Sequence, residues 1–186
     1  MPKLGPNDVT VCADDGSIGE IVWSGTASAI GEDGVTCGSS TNRANQTHLL
    51  VASAFGFAAA AGTNIHGVEI EVKRTADVAD VCIDTQAYLK SESNAGASRT
   101  KTTAWPTTLT YESFGGPNDT HGLALTPTLV NSANLAFYLA CQAAGSVSTV
   151  KPEVDNFRAT VSYSRMGGPY KRTHGGPRSA RERHSP

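Results

Sequence analysis

Asp119 and His121 are the residues of this chain whose types and spacing come nearest to an acid–base pair. They lie in GGPNDTHGL, residues 115–123, where a separation of two would place both side chains on one face of a strand. A carboxylate beside an imidazole can transfer protons during catalysis. However, the sequence has no G-x-S-x-G elbow, no H-E-x-x-H helix and no G-x-x-x-x-G-K phosphate loop to accompany the pair. We therefore predict that Asn118 and Asp119 form a turn that leads into a strand. We predict no catalytic residue in the chain, and we do not expect it to be an enzyme.

The cysteines and the remaining histidines are not spaced as metal ligands. The histidines are scattered, and the chain contains no C-x-x-C pair. We predict free, buried thiols, although a contact between two of them in the N-terminal region stays open. No metal and no cofactor is predicted. The cysteines are Cys12 and Cys37, which could meet, and Cys82 and Cys141, which lie in strand-like runs.

The elements that must position these residues are strands, because period-two alternation recurs while helical periodicity is nearly absent. The clearest patterns are VDNFRATVSYS, residues 154–164, and GVEIEVKR, residues 67–74. In DVCIDTQAYL, residues 80–89, the alternation puts Ile83 on the apolar face and Asp84 on the opposite face. Further strands are predicted at 20–24, 48–57, 108–113, 120–125 and 135–143, and one short helix at 126–134 with Thr126 as its cap.

The fold class predicted from this pattern is all-β: an antiparallel β-sandwich, jelly-roll-like, with extended N- and C-terminal arms. Residues 135–143 are apolar on both faces, so that strand should be central in a sheet or covered by a neighbouring molecule. The predicted divisions are an acidic N-terminal arm with one or two strands at 1–45, the sandwich at 46–165 and a basic C-terminal arm at 166–186.

Charge is divided unevenly along the chain. Residues 165–186 carry six basic side chains against one acid, while the preceding residues carry sixteen acids against nine bases. We predict that the basic arm of one copy binds the acidic region of the next. Nucleic acid is not expected as a partner, because the acidic body would repel it. The predicted partner-binding residues are Lys171, Arg172, Arg178, Arg181 and Arg183 on the basic side, and Asp14, Asp15, Glu32 and Asp33 on the acidic side.

A sugar and a membrane are the remaining candidate partners. A sugar-binding face, which stays the alternative, would use exposed aromatic side chains from Trp23, Trp105, Tyr111 and Tyr170. The longest apolar run, residues 49–62, is shorter than the roughly 20 residues of a membrane helix, and the N-terminus lacks the features of a signal peptide. We therefore expect no membrane association.

Several short motifs, in their order and spacing, carry a resemblance. They are LLVASAFGFAAAAGTNIHGVEIEVKRTA (49–76), VCIDTQAYL (81–89), Trp105-Pro106, SFGGPNDTHGLALTPTLVNSANLAFYLAC (113–141) and VDNFRATVSY (154–163). Over roughly residues 48–164 the chain resembles small β-sandwich structural proteins of tailed bacteriophages. The last motif is also similar to the final strand of jelly-roll carbohydrate-binding modules.

The resemblance implies a virion component assembled in the host cytoplasm. The leading role is a capsid decoration (cement) protein that stabilises a phage head, and the alternative is a tail or fibre appendage with a carbohydrate-binding sandwich. The expected partners are the major capsid protein or other virion subunits, with further copies of the chain in a homo-oligomer, a trimer being favoured.

Overall fold

The computed structural model describes residues 1–42, 45–145 and 149–165, which form ten strands, one 3₁₀ helix and one four-residue α-helix. The 3₁₀ helix is Thr26–Ala29 and the α-helix, α1, is Pro127–Val130. The strands are β1 (Lys3–Asp8), β2 (Val11–Asp15), β3 (Cys37–Gly38), β4 (Leu49–Ser53), β5 (Thr63–Ala76), β6 (Cys82–Ser91), β7 (Asn94–Ala95), β8 (Thr110–Gly115), β9 (Leu135–Ala143) and β10 (Pro152–Arg165).

The strands build two antiparallel sheets packed face to face. The first sheet has the order β1-β10-β5-β8, with β3 also beside β10, and the second has the order β2-β4-β9-β6-β7. When β2 and β3 are set aside, the other eight strands are connected as in a jelly roll, with the orders β1-β10-β5-β8 and β4-β9-β6-β7 in the two sheets. The predicted jelly-roll-like antiparallel sandwich is thereby confirmed. Strand β9, apolar on both faces, is central in its sheet, as its sequence indicated.

The core between the sheets is centred on three phenylalanine rings. Phe114 of β8 and Phe157 of β10 extend from the first sheet towards Phe137 of β9 in the second. The ring centroids of Phe114 and Phe137 are 5.2 Å apart, and those of Phe137 and Phe157 are 6.3 Å apart. Burying each ring contributes about 2–3 kcal/mol, so this cluster holds the two sheets together.

A buried ion cluster also joins the sheets. Arg74 of β5 is fully buried, and its guanidinium lies 2.5 Å from Asp84 of β6 and 2.5 Å from Glu112 of β8. The same guanidinium lies 4.4 Å from the centroid of the Trp105 ring, whose Nε1 donates to Asp84 over 2.8 Å. Because a buried charge is tolerated only with partners, these contacts depend on one another.

Bulges change which residues of two strands face the core. In β6 the register shifts between Asp84 and Gln86, so Asp84 faces inward together with Ala87. The predicted faces of 80–89 were therefore wrong on one side of the bulge, because strict alternation fails where one strand has an extra residue. In β10 a similar shift around Asp155 lets Val154 and Phe157 both lie in the core.

Two predicted strands are not strands. Residues 20–24 make only isolated bridges, through Ile21 and Ser24. Residues 120–125 form a turn, because His121 and Gly122 have φ angles of 54° and 73°, which a strand does not accommodate. The predicted helix is confirmed as α1, where the Thr126 side chain accepts a hydrogen bond from Leu129 N.

The two ends of the chain differ in how the structure describes them. Residues 1–45 were predicted as an acidic arm with one or two strands; in its described part, β1 pairs with β10 and β2 pairs with β4, so this region supplies edge strands to both sheets. Gly, Pro and Asp residues are uncommon within strands, so the alternation of apolar and polar residues does not reveal β1 and β2. The predicted basic arm, residues 166–186, lies outside the described residues.

The prediction of free, buried thiols is confirmed for all four cysteines.

Candidate functional site

The GGPNDTHGL segment is a structural turn. Asp119 accepts two hydrogen bonds of 2.6 Å from the Arg99 guanidinium and one of 2.8 Å from the backbone N–H of His121. The buried imidazole of His121 instead lies 3.0 Å from the Val68 carbonyl through Nε2. The Arg99 guanidinium beside Asp119 lowers the pKa of that carboxyl to about 2. The carboxylate thus holds a turn and does not pair with the imidazole ring.

The same turn connects the first sheet to the edge of the second. Val68 N of β5 donates to the Asp119 carbonyl over 3.0 Å, and Ala97 N donates to the His121 carbonyl over 2.6 Å. Gly67 of β5 lies directly under the turn, where a Cβ atom would be 2.5 Å from Asp119 N. The turn can lie this close because residue 67 has no side chain.

We expect the stability of the fold to decrease as the pH falls below about 6.5, the ordinary pKa of histidine. Burial lowers the pKa of His121 in the folded protein, against the smaller opposing effects of the Val68 carbonyl and Asp119. The unfolded chain therefore binds the proton first, so stability present above pH 6.5 is lost as the pH falls towards the folded-state pKa. Urea unfolding midpoints at pH 7.0 and 5.0 measure this loss.

The His121→Gln variant provides the comparison, because glutamine does not titrate in this range. Its unfolding midpoint should change less between pH 7.0 and 5.0 than that of the natural sequence. An equal change in both proteins would assign the pH dependence to other groups. Asp119 does not interfere, since its pKa of about 2 keeps it ionised at both pH values.

The structure separates the four acids predicted to bind a partner. Asp14 and Asp15 are on β2 at the edge of the second sheet, whereas Glu32 and Asp33 lie in a loop over the first sheet. Asp14 contacts His48 Nδ1 over 2.8 Å and accepts a hydrogen bond from Trp23 N over 2.8 Å. This carboxylate–imidazole contact was not predicted, because the two residues are 34 positions apart. It fixes the loop after β2, so Asp14 serves the fold.

The loop of Glu32 and Asp33 covers the bulge of β10. Gly34 N donates to the buried Asp155 carboxylate over 3.0 Å. The Lys73 ammonium lies 2.8 Å from Glu32 and 2.9 Å from Asp155, and it lowers the pKa of Glu32. The Lys73 ammonium thus occupies the position between the Glu32 and Asp155 carboxylates that a metal cation would need. Within residues 1–42, 45–145 and 149–165, no group of three or more His, Cys, Asp or Glu side chains could hold a metal ion.

The outer face of the first sheet continues this charged network. Arg158 of β10 makes a two-pronged contact with Glu71 of β5, at 2.9 and 3.0 Å. Its guanidinium also stacks 3.7 Å from the centroid of the Tyr111 ring, and the Tyr111 hydroxyl donates to Glu32 over 3.0 Å. The carboxylate of neighbouring Glu69 has no hydrogen bond or ion pair within the described residues. This face therefore presents fixed charges and at least one uncompensated acid.

Charge is polarised along this sheet. Several acids lie near the start of β10: Glu32 and Asp155 contact the Lys73 ammonium, Asp77 accepts a hydrogen bond from Lys151 N, Glu153 lies on β10, and Asp33 lies in the loop over it. At the end of β10, Lys3 lies opposite Ser162 and Arg165 lies opposite Thr63. We call the first group the acidic end of the sheet and the second its basic end. The predicted residues Glu32 and Asp33 belong to the acidic end.

The aromatic residues considered for sugar binding are largely unavailable. Trp23 and Trp105 are each only 2% exposed, and one face of the Tyr111 ring carries Arg158. Tyr170, like the five predicted basic partner-binding residues, lies outside the described part of the chain. The structure instead brings together Tyr88 of β6 and Tyr138 of β9 on the outer face of the second sheet, with ring centroids 5.2 Å apart. Sequence reasoning missed this pair because register between distant strands is needed to see it.

The architecture is an antiparallel jelly-roll sandwich whose two outer faces carry different groups, a charged network on the first sheet and the tyrosine pair on the second. In comparisons with protein-family models, with curated proteins and with solved structures, nothing matched the chain. Among the described residues, the structure contains no helix with the length and apolar character needed to cross a bilayer.

Proposed function

We propose that this protein is a structural component of a phage virion, a capsid decoration (cement) protein that attaches to neighbouring subunits through its basic C-terminal segment. The observation that carries this proposal is the charge polarity of the first sheet. The segment 166–186 adds five basic side chains against one acid, and it follows directly from the basic end of that sheet. Opposite charges are thus presented at opposite ends of one rigid body.

The geometry of β10 supports contacts between copies or with other subunits. Glu153 and Arg165 are separated by 12 residues of continuous strand, which corresponds to about 40 Å at 3.3 Å per residue. In the proposed contact, the basic segment of one copy binds the acidic end of a neighbouring copy. Such a head-to-tail contact is heterologous and can extend over a lattice.

The acidic end offers specific sites for such a segment. The Glu153 carboxylate has no hydrogen bond or ion pair within the described residues, and Glu32 and Asp33 are exposed. Each exposed pair with Arg172, Arg178, Arg181 or Arg183 contributes only about 0.2–1 kcal/mol. Many copies on a shell raise the effective concentration of every segment, so weak contacts add up to firm attachment. The expected partners are the major capsid protein and other virion subunits.

Deleting residues 167–186 is expected to weaken attachment to the particle and lower the temperature at which particles rupture. The physical reason is the loss of four arginines and one lysine from the charged contact. Purified particles of the source phage, stripped of the protein and then incubated with full-length or truncated chain, supply the binding measurement. Electron microscopy of the same particles locates the protein on the head or the tail.

A charge reversal tests the acidic end separately. Glu153→Lys should weaken attachment to the particle, and it should make the attachment depend less on salt concentration. The matched reversal Glu20→Lys, at an exposed acid in the loop after β2, should leave both quantities unchanged. The proposal fails if the truncated chain binds particles as tightly as the full chain, or if microscopy finds no copies on the particle.

A further inference from the structure

The outer face of the second sheet differs in chemistry from that of the first. Register places side chains of four strands in rows across it, and the central row runs from Ala13 through Val51 and Tyr138 to Tyr88. The next row contains Val11, Ser53, Ala136 and Lys90. We call these two rows, together with Asp15 beside them, the tyrosine face; within it, Ala136 is already buried in the single chain.

The tyrosine face is largely uncharged. Of the charged residues on the strands that form it, Asp14 and Asp84 lie on the opposite side of the sheet, and Asp15 and Lys90 lie on the tyrosine face itself. The outer face of the first sheet carries Glu69, Glu71, Lys73 and Arg158 on two strands alone. Val11 is 48% exposed, and Ala13 is exposed as well. A sheet face centred on tyrosine, valine and alanine has the composition of an interface centre rather than of solvated surface.

The two charged residues lie at opposite corners. Asp15 is on β2, in the row beyond Ala13, while Lys90 is on β6, in the row on the other side of Tyr88. Neither makes an ion pair within the described residues: Asp15 accepts a hydrogen bond from Ser17 N, and the Lys90 ammonium lies 5.2 Å from the Tyr138 ring centroid. The centre of the diagonal between them falls between Val51 and Tyr138.

This arrangement is self-complementary. If two copies of the face pack together about a two-fold axis that lies in the interface, perpendicular to the Asp15–Lys90 diagonal, each acidic corner meets the partner's basic corner. The strands of the two copies then cross at about 90°, a known mode of packing between sheets. The centres of the two faces, Val51 and Tyr138, come into contact and are removed from water.

We propose that the tyrosine face is the interface of a two-fold symmetric dimer of this chain, in which Asp15 of each copy pairs with Lys90 of the other. The argument is independent of the proposed function, because it rests on the second sheet and not on the C-terminal segment. It gives a dimer contact, where the sequence favoured a trimer. Sugar is not the favoured occupant, since the two parallel rings, 5.2 Å apart, each cover one face of the other, and the Lys90 ammonium lies 5.2 Å from the centroid of the Tyr138 ring.

Charge reversal at the corners tests the proposal by sedimentation. The natural protein should dimerise at concentrations up to about 100 µM, within the range of specific but moderate affinities. Asp15→Lys and Lys90→Asp should each raise the dissociation constant about tenfold or more, because two like-charge contacts replace two attractive ones. Mixing the two variants should restore a dimer, since the reversed corners are complementary in the mixture. The double variant should dimerise on its own.

Matched variants separate this interface from other effects. Val51→Glu, at the centre of the face, should abolish the dimer, while Glu69→Lys on the first sheet and deletion of 167–186 should leave it unchanged. Circular dichroism and unfolding midpoints verify that each variant folds. The proposal is overturned if the natural protein is a monomer at about 100 µM, or if the two single variants dimerise as tightly as the natural protein. It is also overturned if their mixture forms no dimer.

Discussion

Asp84→Ala is expected to lower the free energy of unfolding by about 3–5 kcal/mol, the usual effect of removing one partner from a buried ion pair. The substitution takes from Arg74 its contact inside the core and leaves Glu112 as its charged partner. It also removes the acceptor for Trp105 Nε1 and for Lys101 N, at 2.8 and 2.9 Å. Chemical denaturation monitored by tryptophan fluorescence measures the change.

Glu69→Ala serves as the control for that substitution. Glu69 is also a strand carboxylate, but it makes no hydrogen bond or ion pair within the described residues, so its removal should cost less than about 0.5 kcal/mol. A loss for Asp84→Ala no larger than for Glu69→Ala would show that the buried charge cluster does not form as described.

Gly67→Ala is expected to destabilise the fold by about 2–3 kcal/mol, in the range for inserting a methyl group into a filled site. The added Cβ would contact the carbonyl of Gly116 and lie 2.5 Å from Asp119 N and 2.8 Å from the carbonyl carbon of Pro117. All three are backbone atoms, which cannot move aside as a flexible side chain can. The turn must therefore shift away from β5, which strains the 3.0 Å hydrogen bond from Val68 N to the Asp119 carbonyl.

Gly116→Ala is the matched control within the same turn. A Cβ at Gly116 would meet no atom within 4 Å, and its φ is not in the left-handed region. We expect its unfolding free energy to stay within about 0.5 kcal/mol of the natural protein. Equal losses for the two alanine variants would contradict the close approach of the turn to Gly67.

The sequence predicts those parts of the fold in which neighbouring residues determine the outcome. Strands β5 and β10 follow from local alternation, β9 follows from its run of apolar residues, and α1 follows from Thr126 and Pro127. The bulge of β6 could not be predicted, because nothing local to Asp84 distinguishes an inward from an outward carboxylate. What turns Asp84 inward is Arg74 on another strand.

The candidate surfaces depend even more on distant residues. Charge counting identified an acidic body and a basic C-terminal segment, but it grouped Asp14 and Asp15 with Glu32 and Asp33, which the structure places over different sheets. Tyr88 and Tyr138 are 50 positions apart and meet only because β6 and β9 are neighbours in register. Pairings of this kind are set by topology, which a single sequence states only indirectly.

The position of β10 determines how tension on the C-terminus would be resisted. The strand lies between β1 and β5, and its ladder with β5 runs from Pro152 opposite Ala76 to Arg165 opposite Thr63. A force applied beyond Arg165 along the strand axis loads these transverse hydrogen bonds in shear, so they must fail together rather than open one after another. Pulling on the C-terminus would therefore load the whole ladder between β10 and β5 at once.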